Sequence, residues 1–453
     1  MNKTKTKRFS AVFSAVLLSL TALCGCAGQQ PAPESSAGSV TTLSAPASTA
    51  ASATETTAQT AQTAQTADTS DSDSAPADAG SSTAGSKTTG QAGTHTPGTK
   101  HTKGGGTAAR SETLTTAASQ PKSPEELLSG MTLEQKAAQM MLVGITNANT
   151  AKEAAKDGIG ALCMFAKPYQ NKTADQVRAM HAGIQKNAAI PMIISADEEG
   201  GTINRVSLNK NLRSSPFPSG RDLFTAGGWD AVIKDTREKA SLLKKLGLNV
   251  NLAPVCDVPL DRSNYIYDRC FSLDAEETAE YIRKVVTEMK KNSFGSVLKH
   301  FPGYGGSVDT HKQTGYDSRD YSAFETGDFL PFIAGIQAGA DAVMVSHNIV
   351  RCMDDKNPAS LSPAVHQILR STLGFDGVII SDDLGMNAIT LFTGGKNPAV
   401  AAVQAGNDLV AFADYKTSVA AIVKAVRDGQ IPQSQIDASV LRILRWKRSL
   451  GLL

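Results

Sequence analysis

From residue 123 onward, the chain alternates short apolar runs with longer segments whose apolar residues recur at helical spacing. The apolar runs, each five to seven residues long, lie at 140–144, 160–165, 191–196, 249–255, 296–300, 341–346, 377–381 and 408–413. Helical segments lie between them, among them 174–187, 229–246, 275–291 and 398–405. Continuous apolar runs of this length are typical of parallel strands that are buried on both faces. Eight strand–helix units therefore predict an α/β fold of the (β/α)8 TIM-type barrel class.

An open doubly wound sheet is the alternative architecture for alternating strands and helices. It is disfavoured because no Gly-x-Gly-x-x-Gly motif follows the first apolar run. The capping box Thr132-Leu133-Glu134-Gln135 predicts a helix start close to the beginning of the barrel. A last helix at 436–448 would pack four apolar residues on the outside of the barrel, namely Val440, Leu441, Leu444 and Trp446. We therefore predict one barrel domain at 123–453.

Residues 1–26 have the pattern of a bacterial export signal. Basic residues at positions 3, 5, 7 and 8 precede an apolar stretch at 11–23 that is short for a membrane span. The stretch Leu23-Cys24-Gly25-Cys26 that follows resembles a lipobox, with Cys26 as the lipidation site. Ordinary secretion with a chance cysteine is the alternative. We predict a lipoprotein signal peptide, and hence a chain anchored by lipid at the extracellular face of the cell membrane.

Residues 27–122 consist almost entirely of Ala, Ser, Thr, Gly, Gln and Pro, and include the short repeat TAQTAQTAQTA. Such a composition cannot bury enough apolar surface to offset the entropy of ordering the chain. The sequence therefore predicts a disordered, low-complexity tether. As a flexible coil it would average roughly 50–60 Å from end to end, which suits an enzyme that works within or across a cell wall.

Charge and cysteine content limit the classes of partner. The net charge of +2 gives no reason to expect nucleic acid as a partner. Four of the six cysteines lie in the barrel region, widely spaced and mostly beside apolar runs, at positions 163, 256, 270 and 352. Because a domain of this size has core enough without disulfides, we predict buried free thiols. The absence of a CxxC spacing argues against zinc, and we expect a monomer without a metal or cofactor.

Polar residues follow most of the predicted strands, at the barrel end where active sites lie. Any one of them could be a structural ion pair or a solvated charge, but their convergence on one face indicates a site. In chain order they are Asp197, Glu198, Glu199, Arg205, Asp257, Asp268, Arg269, Lys299, His300, Asp309, His311, His347, Asp382, Asp383 and Asp414.

Three motifs in this set resemble glycoside hydrolase family 3. They are Lys299-His300-Phe301-Pro302-Gly303 with Asp309-x-His311, Asp197-x-Glu199-Gly200-Gly201, and Ser381-Asp382-Asp383-Leu384-x-Met386. The resemblance covers 132–453 and is nearest to the single-domain bacterial β-N-acetylglucosaminidases of the cell-wall recycling type. It implies a (β/α)8 barrel, retention of configuration at the sugar and no metal.

The resemblance also implies residue roles. Asp382 matches the family nucleophile, His311 the general acid/base, and Asp309 the partner of that histidine. Five further residues match positions that contact the terminal sugar or lie near its pocket: Asp197, Lys299, His300, Arg269 and Arg205. In this register Asp383 is structural. The chain departs from the usual pattern at Tyr304, where a second histidine is common, and at Cys270, where a serine commonly follows the arginine.

The chemistry of these residues agrees with the implied roles. A retaining glycosidase needs a carboxylate under the anomeric carbon and a proton donor beside the leaving oxygen. An imidazole titrates near neutral pH, so His311 can give a proton to the leaving group and later take one from water. Asp309 is two residues away, so in an extended loop both side chains project to the same side. Glycines at 303, 305 and 306 would allow this loop to move.

The sequence thus predicts an exported exo-β-N-acetylglucosaminidase that acts on glycans ending in N-acetylglucosamine, such as peptidoglycan fragments. An N-acetylglucosaminide phosphorylase is the second hypothesis, because a neutral histidine repels phosphate less than a glutamate would. A β-glucosidase or β-xylosidase is disfavoured because such relatives usually carry their acid/base on a second domain. A non-catalytic wall-binding lipoprotein is disfavoured because Asp309, His311 and Asp382 are all present. A metal-dependent barrel hydrolase lacks its His-x-His motif after the first strand.

Overall fold

Eight parallel strands form the centre of the protein in our computed structural model, which describes residues 122–453. The strands are Met141–Ile145 (β1), Ala161–Met164 (β2), Ile193–Ala196 (β3), Val250–Asn251 (β4), Gly295–Phe301 (β5), Ala342–Val345 (β7), Val378–Ser381 (β9) and Val410–Ala411 (β10). They pair in parallel in the order β10-β1-β2-β3-β4-β5-β7-β9. A bridge between Ile380 and Leu409 joins the two ends of this order, so the sheet closes on itself. The predicted (β/α)8 barrel is confirmed.

Two of the predicted regions cannot be compared with the structure. The predicted signal segment 1–26, with its lipidation site Cys26, lies outside the described residues. So does the predicted tether 27–122, apart from its last residue. Within 122–453, no helix has both the length and the apolar character needed to cross a bilayer.

Helices connect the strands and cover the outside of the barrel. They are Pro124–Ser129 (α1), Leu133–Gln139 (α2), Ala148–Lys156 (α3), Ala174–Gln185 (α4), Gly220–Lys245 (α5), Ala275–Lys291 (α6), Tyr321–Ala323 (α7), Phe329–Ala338 (α8), Pro363–Gln367 (α9), Asn387–Thr393 (α10), Ala399–Ala405 (α11), Tyr415–Arg427 (α12) and Gln433–Ser449 (α13). Short 3-10 turns lie at Lys167–Tyr169, Tyr267–Arg269 and Ala359–Leu361, and π-helical turns at Phe324–Asp328 and Ile368–Thr372. A separate parallel pair, Tyr316–Asp317 (β6) and Ile349–Val350 (β8), lies in the loops beyond β5 and β7.

Local sequence explains where these elements begin. Ser123 and Thr132 cap α1 and α2, and each forms a complete capping box with the residue three positions on. Helix α5 begins at Gly220, nine residues before its predicted start at Trp229, because it consists of two helical segments and the prediction found only the second. Gly227 and Gly228 break α5 with non-helical backbone angles, and Gly228 has a φ of +61°. The predicted start therefore marks the second segment of the helix.

Burial follows the apolar pattern of the strands. Every residue of β2, β3, β7 and β9 is buried, as expected for strands covered on both faces. The predicted strand at 249–255 is wrong in length, because the regular ladder of β4 ends at Asn251. Pro254 lies just beyond and has no N–H to donate to a neighbouring strand. On the outside, α13 buries Val440, Leu444 and Trp446 as predicted, while Leu441 is only half-buried.

Candidate active site

The predicted site residues lie at the carboxyl ends of the barrel strands. Asp197 follows β3, Arg269 lies in the loop after β4, and Lys299 and His300 belong to β5 itself. Asp382 follows β9 directly, and its backbone N–H donates to the carbonyl oxygen of Val345 on the adjacent strand β7 (2.9 Å). A residue held this way at the end of a buried strand has little freedom to move. The barrel therefore brings this part of the predicted set to one end.

A buried network of two cations and two carboxylates forms the floor of the site. Lys299 Nζ lies 2.7 Å from Asp197 Oδ1 and 2.7 Å from Glu199 Oε1, and its side chain is 2% exposed. Arg269 grips Glu199 with two donors, Nε at 3.0 Å and Nη2 at 2.8 Å. Burial disfavours the charged form of Glu199, but Arg269 and Lys299 hold the pKa of its carboxyl well below the usual range. Each charged group of the floor therefore has at least one partner of opposite charge within hydrogen-bond distance.

A second carboxylate, Asp257, fixes the orientation of His300. His300 Nδ1 lies 2.7 Å from Asp257 Oδ2, and the His300 backbone N–H donates to the same oxygen (3.1 Å). Because a carboxylate only accepts, Nδ1 must carry a proton. In the neutral ring Nε2 then accepts from Arg269 Nη2, which lies 3.3 Å away. The register with β7 shifts between Lys299 and Phe301, so these consecutive side chains need not alternate as in a regular strand.

Asp382 is half-buried and is held in its ionised form. Burial alone would raise the pKa of its carboxyl, but nearby His300 and His347, the Asp383 N–H and Lys299 together lower it. The N–H of Asp383 donates to Asp382 Oδ1 at 2.8 Å. An ionised carboxylate on a rigid strand end is what nucleophilic attack on a sugar requires.

The neighbouring Asp383 has a different environment. Its Oδ1 accepts the N–H of Gly385 (2.7 Å), and its carbonyl oxygen accepts from His347 Nε2 (2.8 Å). Burial and the adjacent Asp382 raise the pKa of the Asp383 carboxyl. His347 is itself fully buried, and its Nδ1 accepts from the Ser360 hydroxyl (2.7 Å). These bonds tie Asp383 and His347 into the turn after β9.

Asp309 and His311 pair as the sequence predicts, but in a turn closed by the bond from the Lys312 N–H to the Asp309 carbonyl oxygen (3.0 Å), not in the predicted extended loop. His311 Nδ1 lies 2.8 Å from Asp309 Oδ1, and the backbone N–H of His311 donates to the same oxygen (3.1 Å). Partial burial opposes ionisation, but hydrogen bonds from His311 lower the pKa of Asp309. The His311 side chain is 63% exposed. The pair therefore stands on an accessible loop and makes no hydrogen bond to the buried floor among the residues described.

Arg205 lies in the loop after β3, beside the end of β2. Its guanidinium carbon is 5.7 Å from the centroid of the Phe165 ring, and its Nη1 donates to the carbonyl oxygen of Asn204 (3.0 Å). Its Nε is buried without a partner in the part of the chain that the structure describes. The structure thus places the Arg205 side chain against Phe165, with one buried donor unused and no hydrogen bond to the floor network among the described residues.

Cysteines are free thiols in the barrel, but one prediction about them is wrong. Cys163, Cys256 and Cys270 are buried as predicted, whereas Cys352 is exposed in the turn after β8. The Sγ atom of Cys163 lies 3.6 Å from Asp197 Oδ2, so its S–H group can donate a weak hydrogen bond to that oxygen. Burial raises the pKa of this thiol well above its usual value, so it keeps its proton.

Asp257 and Glu199 complete the site, the first as the partner of His300 and the second as the partner of Lys299 and Arg269, but the sequence predicted neither role. The spacing of Asp197 and Glu199 carried a usable signal, because alternate residues project to the same side of an extended chain. Glu198 between them points elsewhere and accepts the backbone N–H groups of Arg205 and Val206. Asp257 carried no such signal, since its partner is 43 residues away in the chain. Among the residues described, no three His, Cys, Asp or Glu side chains group as a metal site.

Comparison with known proteins agrees with this geometry. The family model described as "Glycosyl hydrolase family 3 N terminal domain" matches residues 132–446, which is well over half of the chain. The chain belongs to glycosyl hydrolase family 3. It is a glycoside hydrolase, and the match spans every site residue described above.

Individual members of glycosyl hydrolase family 3 are similar over most of the barrel. A β-hexosaminidase of Xanthomonas campestris is 32% identical over 281 residues, which is 60% of this chain and 83% of that protein. The structure of a family 3 β-N-acetylglucosaminidase from Paenibacillus superposes with a TM-score of 0.67 at 31% identity, covering 71% of this chain and 63%, just under two thirds, of that one. A β-N-acetylhexosaminidase from Beutenbergia cavernae gives a TM-score of 0.63 at 27% identity, covering 70% and 99% respectively.

The position of Asp257 in this family 3 site leads to a testable expectation. Asp257→Asn keeps the size of the side chain but replaces one acceptor oxygen with a donor group, so it disturbs the bonds from His300. We expect kcat/KM for a hydrolysed aryl β-glycoside to fall by about tenfold or more, since bonds to charged groups are worth about 1.5–3 kcal/mol. Asp261→Asn, an exposed change in the same loop, is the matched control. Equal kcat/KM values for both variants would remove Asp257 from the site.

Proposed function

We propose that this enzyme is an exo-acting, retaining β-N-acetylglucosaminidase. The observation that carries the proposal is the half-buried Asp382 carboxylate at the rigid end of β9, whose pKa is held low chiefly by nearby His300 and His347. The similarity to β-hexosaminidases and β-N-acetylglucosaminidases supports N-acetylglucosamine as the terminal sugar. The floor offers both kinds of partner that sugar hydroxyls need, namely donors on Lys299 and Arg269 and an acceptor on Asp197.

The reaction we infer has two displacement steps. In the first, a carboxylate oxygen of Asp382 bonds to the anomeric carbon while the bond to the leaving oxygen breaks, and His311 gives its proton to that oxygen. In the second, His311 takes a proton from water, the water oxygen bonds to the anomeric carbon, and the ester to Asp382 breaks. Asp309 stabilises the cationic form of His311 through their 2.8 Å contact.

We further propose that the enzyme is exported, lipid-anchored through Cys26, and acts on peptidoglycan fragments. The support is sequence alone: a basic and then apolar segment at 1–26, a lipobox-like motif, and the low-complexity stretch at 27–122. A tether of that length would let the anchored barrel reach glycans at different depths of the cell wall.

A panel of aryl glycosides tests the proposed activity. We expect release from the β-N-acetylglucosaminide to exceed release from the matching β-glucoside and β-xyloside by roughly 100-fold, and to be indifferent to inorganic phosphate. Phosphate stimulation with a sugar 1-phosphate as product would instead identify a phosphorylase. Failure to turn over any of the three glycosides would favour a non-catalytic wall-binding protein.

Covalent trapping tests retention and the nucleophile. A fluorinated slow substrate should label the wild-type enzyme on the peptide that contains Asp382, because the first step then outpaces the second. Asp382→Asn should abolish labelling, whereas Asp383→Asn is the control and should still be labelled. Mass spectrometry of the digested protein reports the position. A label on Asp383, or products of inverted configuration, would contradict the mechanism.

Cell fractionation tests the anchor. Wild-type protein expressed in a bacterium should be found with the membrane fraction and incorporate labelled fatty acid, since a diacylglyceryl group and an acyl chain together anchor stably. Cys26→Ser should lose the label and move to the soluble fraction, while Cys24→Ser, the neighbouring control, should keep both properties. A Cys26→Ser protein that still carries the label would refute lipidation at this residue.

A further inference from the structure

Thr310, between the two members of the Asp309–His311 pair, has the opposite environment to its neighbours. It is 0% exposed, whereas the His311 side chain is 63% exposed. The segment is a turn, in which the N–H of Lys312 donates to the carbonyl oxygen of Asp309 (3.0 Å), so the buried Thr310 side chain fixes one corner of the turn that carries the pair. The way Thr310 is held therefore bears directly on the acid/base.

Two hydrogen bonds hold Thr310. Its Oγ1 lies 2.7 Å from the hydroxyl of Tyr304, and either hydroxyl can donate. Its carbonyl oxygen accepts the N–H of Ala388 (3.3 Å), which lies in the first turn of α10, the next helix after β9 and Asp382. Among residues 122–453, every hydrogen bond that joins the segment 308–314 to the rest of the protein involves Thr310. The middle of the loop is thus attached through this one residue.

Tyr304 is itself a fixed point. It is 2% exposed, its backbone N–H donates to Asp257 Oδ1 (2.9 Å), and its ring packs edge-on against His300 at 5.2 Å. Burial, followed by the nearby Asp382 carboxylate, raises the pKa of the Tyr304 phenol, so the hydroxyl stays protonated across the working pH range. The same aspartate that orients His300 therefore also anchors the start of the loop.

The loop is also held at Gly305, the residue directly after Tyr304. Asn264 Nδ2 donates to the carbonyl oxygen of Gly305 (2.8 Å). Gly305 has a φ of +50°, and a Cβ there would lie 2.1 Å from Arg319 Nη2, which Asp317 and Asp328 hold in place, so the position strongly favours glycine. Past this point the chain depends on the bond between Tyr304 and Thr310 for its side-chain attachment to the barrel.

We propose that the hydroxyl pair of Tyr304 and Thr310 positions the Asp309–His311 dyad for proton transfer to the leaving oxygen. This inference rests on the proposed function, because it assigns the dyad the acid/base role. Tyr304 and Thr310 are positioning residues, since they act on the reaction through His311 and not by contact with the reacting atoms.

Variants that remove one hydroxyl each test the proposal in the full chain. Tyr304→Phe and Thr310→Val should lower kcat/KM about tenfold or more for aryl β-N-acetylglucosaminides with poor leaving groups, and less than about threefold for those with good ones. This is the leaving-group dependence expected of His311→Ala, in weaker form. Thr310→Ser keeps the hydroxyl and should restore kcat/KM to within about threefold of wild type.

A double variant and a control complete the test. Tyr304→Phe combined with Thr310→Val should cost no more than the worse single change, because both remove the same bond. Tyr316→Phe, an exposed change farther along the chain, should behave as wild type. Thermal unfolding reports folding separately, and if Tyr304→Phe unfolds, the Val and Ser variants at position 310 carry the comparison.

Two outcomes would overturn the inference in distinguishable ways. A loss that is equal for good and poor leaving groups, or additive losses in the double variant, would show a role in packing only, with the proposed function intact. A wild-type enzyme that hydrolyses no aryl β-N-acetylglucosaminide would overturn the proposed function, and this inference with it.

Discussion

The rest of the site depends on the pairing of opposite charges in the buried network formed by Lys299, Arg269, Asp197 and Glu199. Lys299 is 2% exposed, and a lone ammonium buried to that extent would cost several kcal/mol. It is ionised there because Asp197 and Glu199 each lie 2.7 Å away, and Glu199 is in turn held by Arg269. These groups come from the end of β3, the loop after β4, and β5, so these three neighbouring strands must pair before all of the groups are satisfied. The pairing of β3, β4 and β5 therefore assembles the floor of the site.

The sequence was a good guide wherever one strand and its own end sufficed. Continuous apolar runs predicted the eight strands, because burial on both faces depends on local sequence. The Asp-x-His spacing predicted the contact between Asp309 and His311, although the structure makes this contact in a turn and not in an extended loop. Burial of the whole set of cysteines was predicted from flanking apolar residues, and it failed at Cys352, where the chain turns outward after β8. Local composition does not report such a turn.

What the sequence could not predict was partnership across the barrel. Asp257 serves His300 from 43 positions away, and Cys163 reaches Asp197 from another strand. Such contacts depend on the order and stagger of the strands, which single-strand patterns leave undetermined. The break at Gly227 and Gly228 was visible as a pair of glycines, but whether a helix continued on both sides depended on packing against the barrel.

The Asp257 carboxylate divides the β5 segment into two parts with different constraints. It accepts from the backbone N–H groups of His300 and Tyr304 and from the His300 ring, so the chain from His300 to Tyr304 is held by one carboxylate. Residues 306–308 and 312–314 have no share in that arrangement. For protein engineering, this boundary separates a region that must be kept from one that can be diversified. Libraries confined to those two stretches would vary the surface of the loop while leaving the hydrogen bonds to Asp257 unchanged.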